Sequence, residues 1–132
     1  MKLFQRLVSL GRRLSGARSD DWEGRAAEFL KGKGFRIVTR NVRTRLGEID
    51  IVAEDGDCVV LVEVKARKSR EFGGAEYAIT ANKRTRLLRA AKEFIAREGL
   101  SERACRFDAV LIHTGGDTPE FQHIENAFEE RR

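Results

Sequence analysis

Several kinds of protein are excluded by what this sequence has little of. There are two cysteines in 132 residues, Cys58 and Cys105, far apart and in no CxxC pair. A disulfide framework or a zinc site is therefore not expected, and two buried thiols in a reducing cytosol are. The longest apolar stretch, near Val59 to Val62, is far too short to span a bilayer. The first ten residues are interrupted by Gln5 and Arg6 and lack a small-residue cleavage site, so no signal peptide and a cytoplasmic location are expected. Neither histidine, His113 or His123, has a partner at metal-ligand spacing, so each is read as a surface or satisfied residue. Aromatics do not alternate with basic residues apart from Trp22 and Tyr77, so specific base reading is not argued for. No nucleotide-binding Gly-rich loop, Ser-His-Asp pattern, internal repeat or low-complexity tract is evident. A small-molecule substrate is accordingly not expected.

Charge is abundant. Residues of the DEKR set make up 36% of the chain, against 41% apolar, which describes one globular domain with a heavily charged surface. The net charge of +5 is unevenly spread. Lys2, Arg6, Arg12, Arg13 and Arg18 stand against Asp20 alone, so four of the five net charges lie in residues 1–20. Residues 1–19 read as a basic arm in which Leu3, Leu7, Leu10 and Leu14 can line a short helix. A solvated tail is preferred over an arm that touches an anionic polymer or a partner. Residues 20–128 form the expected domain and 129–132 a tail.

Pattern gives the elements. A helix is expected from Asp20 to Lys33 with Ala26, Ala27 and Leu30 buried, ending near Gly32 or Gly34. Strands are expected over Phe35–Val42, Gly47–Ala53 and Cys58–Ala66, the last two joined by an Asp55-Gly56 turn. A loop containing Gly73-Gly74 leads to a long helix, N-capped by Thr80 and stopped by Gly99, with Leu87, Leu88, Ala91, Phe94 and Ile95 at helical spacing. Arg106–His113 and Phe121–Ile124 read as further strands around a Gly115-Gly116 turn. The fold class is α/β, with αβββαβ order and a central mixed sheet flanked by helices.

The chemistry lies on the hairpin Gly47-Glu48-Ile49-Asp50-Ile51-Val52 and Val60-Leu61-Val62-Glu63-Val64-Lys65. Side chains alternate along a strand, so Ile49 and Ile51 share one face and Glu48 and Asp50 the other. On the next strand Val60, Val62 and Val64 oppose Leu61, Glu63 and Lys65. A two-residue loop at Asp55-Gly56 pairs Glu54 with Asp57 and Asp50 with Leu61, and puts Asp50 diagonal to Glu63. The acids and Lys65 then share a face opposite one continuous apolar face. Like charges on adjacent strands repel unless a divalent cation joins them. Two acids plus a lysine suit metal-assisted phosphodiester hydrolysis, with Mg²⁺ or Mn²⁺ as cofactor and Lys65 stabilising the pentacovalent phosphate or holding the attacking water. The competing reading is a solvated sheet face with ordinary ion pairs.

Asn41-Val42-Arg43 through Val52, with Val62-Glu63-Val64-Lys65-Ala66-Arg67, closely resembles the bacterial YraN-like family. That family is placed in the PD-(D/E)XK nuclease superfamily, near the archaeal Holliday junction resolvases. The likeness spans about residues 20–128 and includes Lys83 and the Arg106-Phe107-Asp108 strand start. It implies a restriction-endonuclease-like core, with Asp50, Glu63 and Glu23 as metal ligands and Lys65 as the catalytic lysine. The family's first helix usually carries Gly-Glu, and here Trp22 replaces the glycine. Asp20-x-x-Glu23 is equally a capping box. Glu48 is an outer-shell acid or a surface residue.

Arg40, Arg43 and Arg45 precede the acidic hairpin and Arg67, Lys68 and Arg70 follow it, placed to grip phosphates on either side. Lys83, Arg84, Arg86, Arg89 and Lys92 decorate the long helix. Surface solvation is preferred for most of these, with Lys83 set apart by the family pattern. Asp108 is expected to cap or to pair with Arg106 or a helix residue. The partner is nucleic acid, DNA foremost, and resolvase-like nucleases commonly work as two-fold dimers, so a homodimer is an expectation. The leading function is a metal-dependent endonuclease on DNA, with branched or repair intermediates implied by the resemblance alone. The alternatives are a nucleic-acid-binding module that does not cut, or a scaffold that recruits a repair or replication factor.

Overall fold

The computed structural model describes residues 21–68 and 81–127. The arm over 1–19, Asp20, Arg70, Gly73-Gly74, Tyr77, Thr80 and the 129–132 tail lie outside those residues. The elements are α1 (Trp22–Gly32), β1 (Arg36–Arg43), β2 (Glu48–Asp55), β3 (Cys58–Arg67), α2 (Ala81–Glu98), β4 (Cys105–His113) and β5 (Glu120–Ile124). The five strands lie side by side in chain order. β3 and β4 run parallel and every other neighbouring pair antiparallel. This is the mixed αβββαβ sheet expected from the pattern, with β5 added at one edge.

The apolar residues form two layers. Ala26, Ala27 and Leu30 of α1 pack with Phe35, Ile51, Ala53, Val60, Val62, Val110 and Ile112. Leu87, Ala90, Ala91 and Phe94 of α2 pack with Val38, Val42, Ile49, Val52, Val59 and Leu61 on the opposite side. β3 supplies both layers, which is why Val59–Val62 is unbroken by a polar residue. Cys58 borders the α1 layer and Cys105 the α2 layer. Both thiols are unbonded and only half-buried, since each begins a strand at the rim of the sheet rather than its centre.

Two details of the hairpin differ from expectation. The loop is Gly56-Asp57 and not Asp55-Gly56, because Gly56 takes the positive φ of 59° that a tight reversal needs at its first central residue. Asp55 therefore pairs with Cys58 and Val52 with Leu61. The register moves by two residues, an even shift that keeps the paired residues Ile51 to Asp55 on their expected faces and, continued, brings Asp50 toward Glu63 rather than Leu61. The second difference concerns Ile49, which packs beneath α2 while Ile51 packs beneath α1. The β2–β3 ladder stops at Ile51–Val62. On the other flank, Asn41 adopts a left-handed φ of 55° between the Arg40–Ile51 and Val42–Ile49 pairs. Both strands turn there, so strict alternation fails at Asp50 and no single apolar face runs through both isoleucines.

Candidate functional site

The break in the ladder creates the site. Beyond Ile51–Val62, where the β2–β3 ladder ends, the backbone N–H of Val64 donates instead to Asp50 Oδ2 at 2.8 Å. The Asp50 carboxylate is thereby held beside Glu63, the residue before Val64.

Glu48 is placed by the turn that precedes β2. The Thr44 hydroxyl oxygen accepts from the N–H groups of Leu46 and Gly47, both at 3.1 Å. Arg45 donates from its backbone N–H and its Nε to the two oxygens of Glu93, each at 3.0 Å, which ties the turn to α2. Gly47 lies so close to α2 that a Cβ there would meet the Arg86 carbonyl oxygen at 3.1 Å.

Glu23 comes from the first turn of α1. The helix is capped by Asp21, whose Oδ1 accepts from the Gly24 N–H at 2.9 Å. Glu23 does not close a capping box. Its Oε1 lies 3.6 Å from Arg40 Nε, and Arg40 also donates to Asp21 at 2.8 Å. Carboxylate oxygens of Glu23, Glu48 and Asp50 lie within 4.8 Å of one another.

Three acids so close need a counter-charge. Burial raises the Asp50 carboxyl and the charges of Glu63 and Glu23 add to the rise, while the Val64 N–H and the charge of Lys83 oppose it. The result is a pKa pushed up to about 7. Glu23 is raised too, first by burial and then by Glu48 and Asp21, against the pull of Arg40. Burial pushes the Lys65 ammonium down, helped by Arg67 and Lys83 and opposed by Glu63.

Beside the acids lies a cleft of about 450 Å³. Glu48, Asp50 and Glu63 face it from the strands, and Asn82, Lys83 and Arg86 from α2. Glu63 is buried and its Oε1 forms an ion pair with Lys83 across the cleft. Lys65, half-buried two residues further on, is not among the described lining residues.

The expected site residues thus divide. Glu23 and Asp50 converge as the resemblance implies, and Glu48 joins them as a full member of the cluster. Glu63 adjoins the cluster but is engaged by Lys83. Arg40 clamps Asp21 and Glu23, and Arg45 is bound to Glu93, whereas Arg43 and Lys68 stay exposed and Arg67 is half-buried. Asn82 carried no signal in the sequence, and Arg86, read with the other long-helix cations as surface-solvated, lines the cleft. The signal that identifies Arg86 is its position three residues after Lys83, on the same helix face. His123 and Asp108 are satisfied by each other, with Nε2 to Oδ2 at 2.7 Å.

An all-oxygen donor set of carboxylates fits a hard divalent ion such as Mg²⁺ or Mn²⁺ and offers nothing to a soft one. Glu23, Glu48 and Asp50 are the residues able to hold it, with Glu63 adjacent.

Comparison with known proteins gives a consistent result. The family model described as "Uncharacterised protein family UPF0102" matches residues 22–112. A UPF0102 protein of Symbiobacterium thermophilum is 48% identical over 107 residues, covering 80% of this chain and 91% of that protein. One of Nitrosomonas europaea is 44% identical over 117 residues, covering 88% and 97%. One of Klebsiella pneumoniae is 40% identical over 119 residues, covering 89% and 90%. The matched span runs from the helix that carries Glu23 through β4, and with it the chain belongs to the UPF0102 family.

Proposed function

We propose that the protein is a Mg²⁺- or Mn²⁺-dependent endonuclease that hydrolyses phosphodiester bonds in DNA, acting in the bacterial cytoplasm. The observation that carries this reading is the convergence of Glu23, Glu48 and Asp50 within 4.8 Å, with burial and the neighbouring acids pushing the Asp50 pKa up to about 7. Carboxylates gathered in this way beside a cleft suit a divalent cation.

When bound, the ion lowers the pKa of a water and neutralises charge on the scissile phosphate. The remaining roles fall to the chain. Asp50 is oriented by the Val64 N–H, so its free oxygen points to the shared position without the entropy of a loose side chain. Arg40 fixes Glu23 from behind. Lys65 donates to the charge that develops on the phosphoryl oxygens or holds the attacking water. Arg86 and Asn82 stand on the α2 wall, where a phosphate in the cleft meets donors rather than acids. The attacking oxygen bonds to phosphorus as the bond to the leaving sugar oxygen breaks. Branched or repair intermediates as substrates, and a homodimer that cuts two strands, follow from the resemblance.

The test is incubation of the purified protein with labelled linear and branched DNA, and RNA, in Mg²⁺ or Mn²⁺. Cleavage is expected, lost in an Asp50→Ala/Glu63→Ala double variant and slowed ~10²–10³-fold in Lys65→Ala. Equal cleavage by the double variant would sink the proposal. Salt-sensitive binding that survives loss of the acids, without cutting, would assign the chain to non-catalytic nucleic-acid binding instead.

A further inference from the structure

Among the described residues, Lys83 is the cation paired with a strand acid from the cleft side. It rises from the first turn of α2 and its ammonium pairs with Oε1 of Glu63, a carboxylate only 4% exposed. Its charge also reaches Asp50. The Val64 N–H holds Asp50 in place, and Asp50, Glu63 and Lys83 line the same cleft. Yet the Lys83 side chain is itself 49% exposed. A long, half-solvated lysine withdraws from such a contact at little cost, whereas Glu63 and Asp50 are held by the sheet.

A divalent ion held by Asp50 with Glu63 would compete with Lys83 for the Glu63 carboxylate, whose Oε1 the ammonium pairs with. Two cations on one carboxylate repel each other strongly in a partly desolvated cleft. Once displaced, the ammonium remains on the wall that carries Asn82 and Arg86. A phosphate is then the anion within its reach.

We propose that Lys83 competes with the divalent ion, serving as the built-in counter-charge of Glu63 and Asp50 until metal enters and frees it to hold a substrate phosphate. The proposal rests on the metal-dependent reading above. It makes binding ordered, with metal entry creating a phosphate ligand that the metal-free protein lacks.

Calorimetric titration of the full chain with Mn²⁺, without nucleic acid, compares wild type with Lys83→Met, which keeps length and removes charge. The variant is expected to bind Mn²⁺ roughly fivefold or more tightly. The gain should persist in about 0.5 M KCl, where a merely long-range effect of one charge is screened. In Ca²⁺, used as a probe that holds substrate without turnover, DNA affinity by fluorescence anisotropy should fall in Lys83→Met. Without Ca²⁺ the same substitution should change it little. Unchanged or weaker Mn²⁺ binding by the variant, a gain abolished by salt, or an equal loss of DNA affinity with and without Ca²⁺ would each overturn the competition while leaving the metal site standing. Failure of both proteins to bind Mn²⁺ would overturn the metal-dependent reading itself.

Discussion

Asp50 on β2 and Asp108 on β4 lie in one sheet with only β3 between them, and their surroundings are opposite. Asp108 is fully buried, and burial pushes its carboxyl up. Hydrogen bonds from His123, Arg106 and the Asn126 N–H outweigh this and hold it below the ordinary aspartate range. Arg106 donates from Nε and Nη2 at 3.0 and 3.1 Å, His123 lies at 2.7 Å and the Asn126 N–H at 3.1 Å. Lys33 completes the chain at His123 Nδ1, 2.6 Å away. An ammonium can only donate, so Nδ1 accepts and the Nε2–H is turned to Asp108. Asp50 accepts from the Val64 N–H and has Glu63 and Glu23 beside it, with the charge of Lys83 in opposition, and remains raised. On the function proposed above, the difference is that between a carboxylate saturated with donors, which serves the fold, and one left for a ligand.

The sharpest way to break this contrast is to remove the saturated acid. Asp108→Ala removes the buried acceptor shared by Arg106, His123 and the Asn126 N–H and is expected to cost about 3–5 kcal/mol in urea denaturation. If it costs no more than a surface substitution, the network is not structural. The counterpart is to supply Asp50 with a cation from solution. Mg²⁺ or Mn²⁺ at about 100 times its Kd should stabilise the wild type by about 2.7 kcal/mol in thermal unfolding, and Asp50→Asn should erase the effect.

A third measurement uses pH. The Asp50 pKa of about 7 lies above its ordinary 3.8, so between those values the folded metal-free protein keeps a proton that the unfolded chain has released. This group's contribution to stability therefore falls as pH rises from about 4 to 7 and levels off above. Asp50→Asn, which keeps an acceptor for the Val64 N–H, should be more stable than wild type by on the order of 2 kcal/mol at about pH 8. At about pH 4 the two should be nearly equal. A constant difference across that range would refute the raised pKa of Asp50. The smallest effect is expected from Gly47→Ala, about 1 kcal/mol, because its methyl presses on the Arg86 carbonyl and moves the turn that carries Glu48. Weaker Mn²⁺ binding should accompany that loss.

Much of the fold was legible because it depends on local pattern. The Ala26, Ala27, Leu30 stripe, the unbroken Val59–Val62 run and the Leu87 to Phe94 repeat each match their layer of the core. Asp50, Glu63 and Lys65 stood out by spacing, and Glu23 by resemblance. The rank of Glu48, the engagement of Glu63 by Lys83 and the turning of Arg40 toward Asp21 and Glu23 were not legible. Each depends on how two elements distant in sequence meet. The register of the hairpin failed for a smaller reason. An Asp-Gly-Asp segment offers two adjacent loop positions, and only the strand pairing on both sides selects between them.

Residue order alone determined the alternation of helix and strand, the separation of acids from valines and the concentration of charge on the β2–β3 hairpin, because these follow from side-chain period and turn chemistry over a few residues. Tertiary packing decided which carboxylates share a position and which are neutralised by the chain itself. A charge's worth depends on its neighbours through space, and those were brought together only when α1 and α2 closed on opposite faces of the sheet.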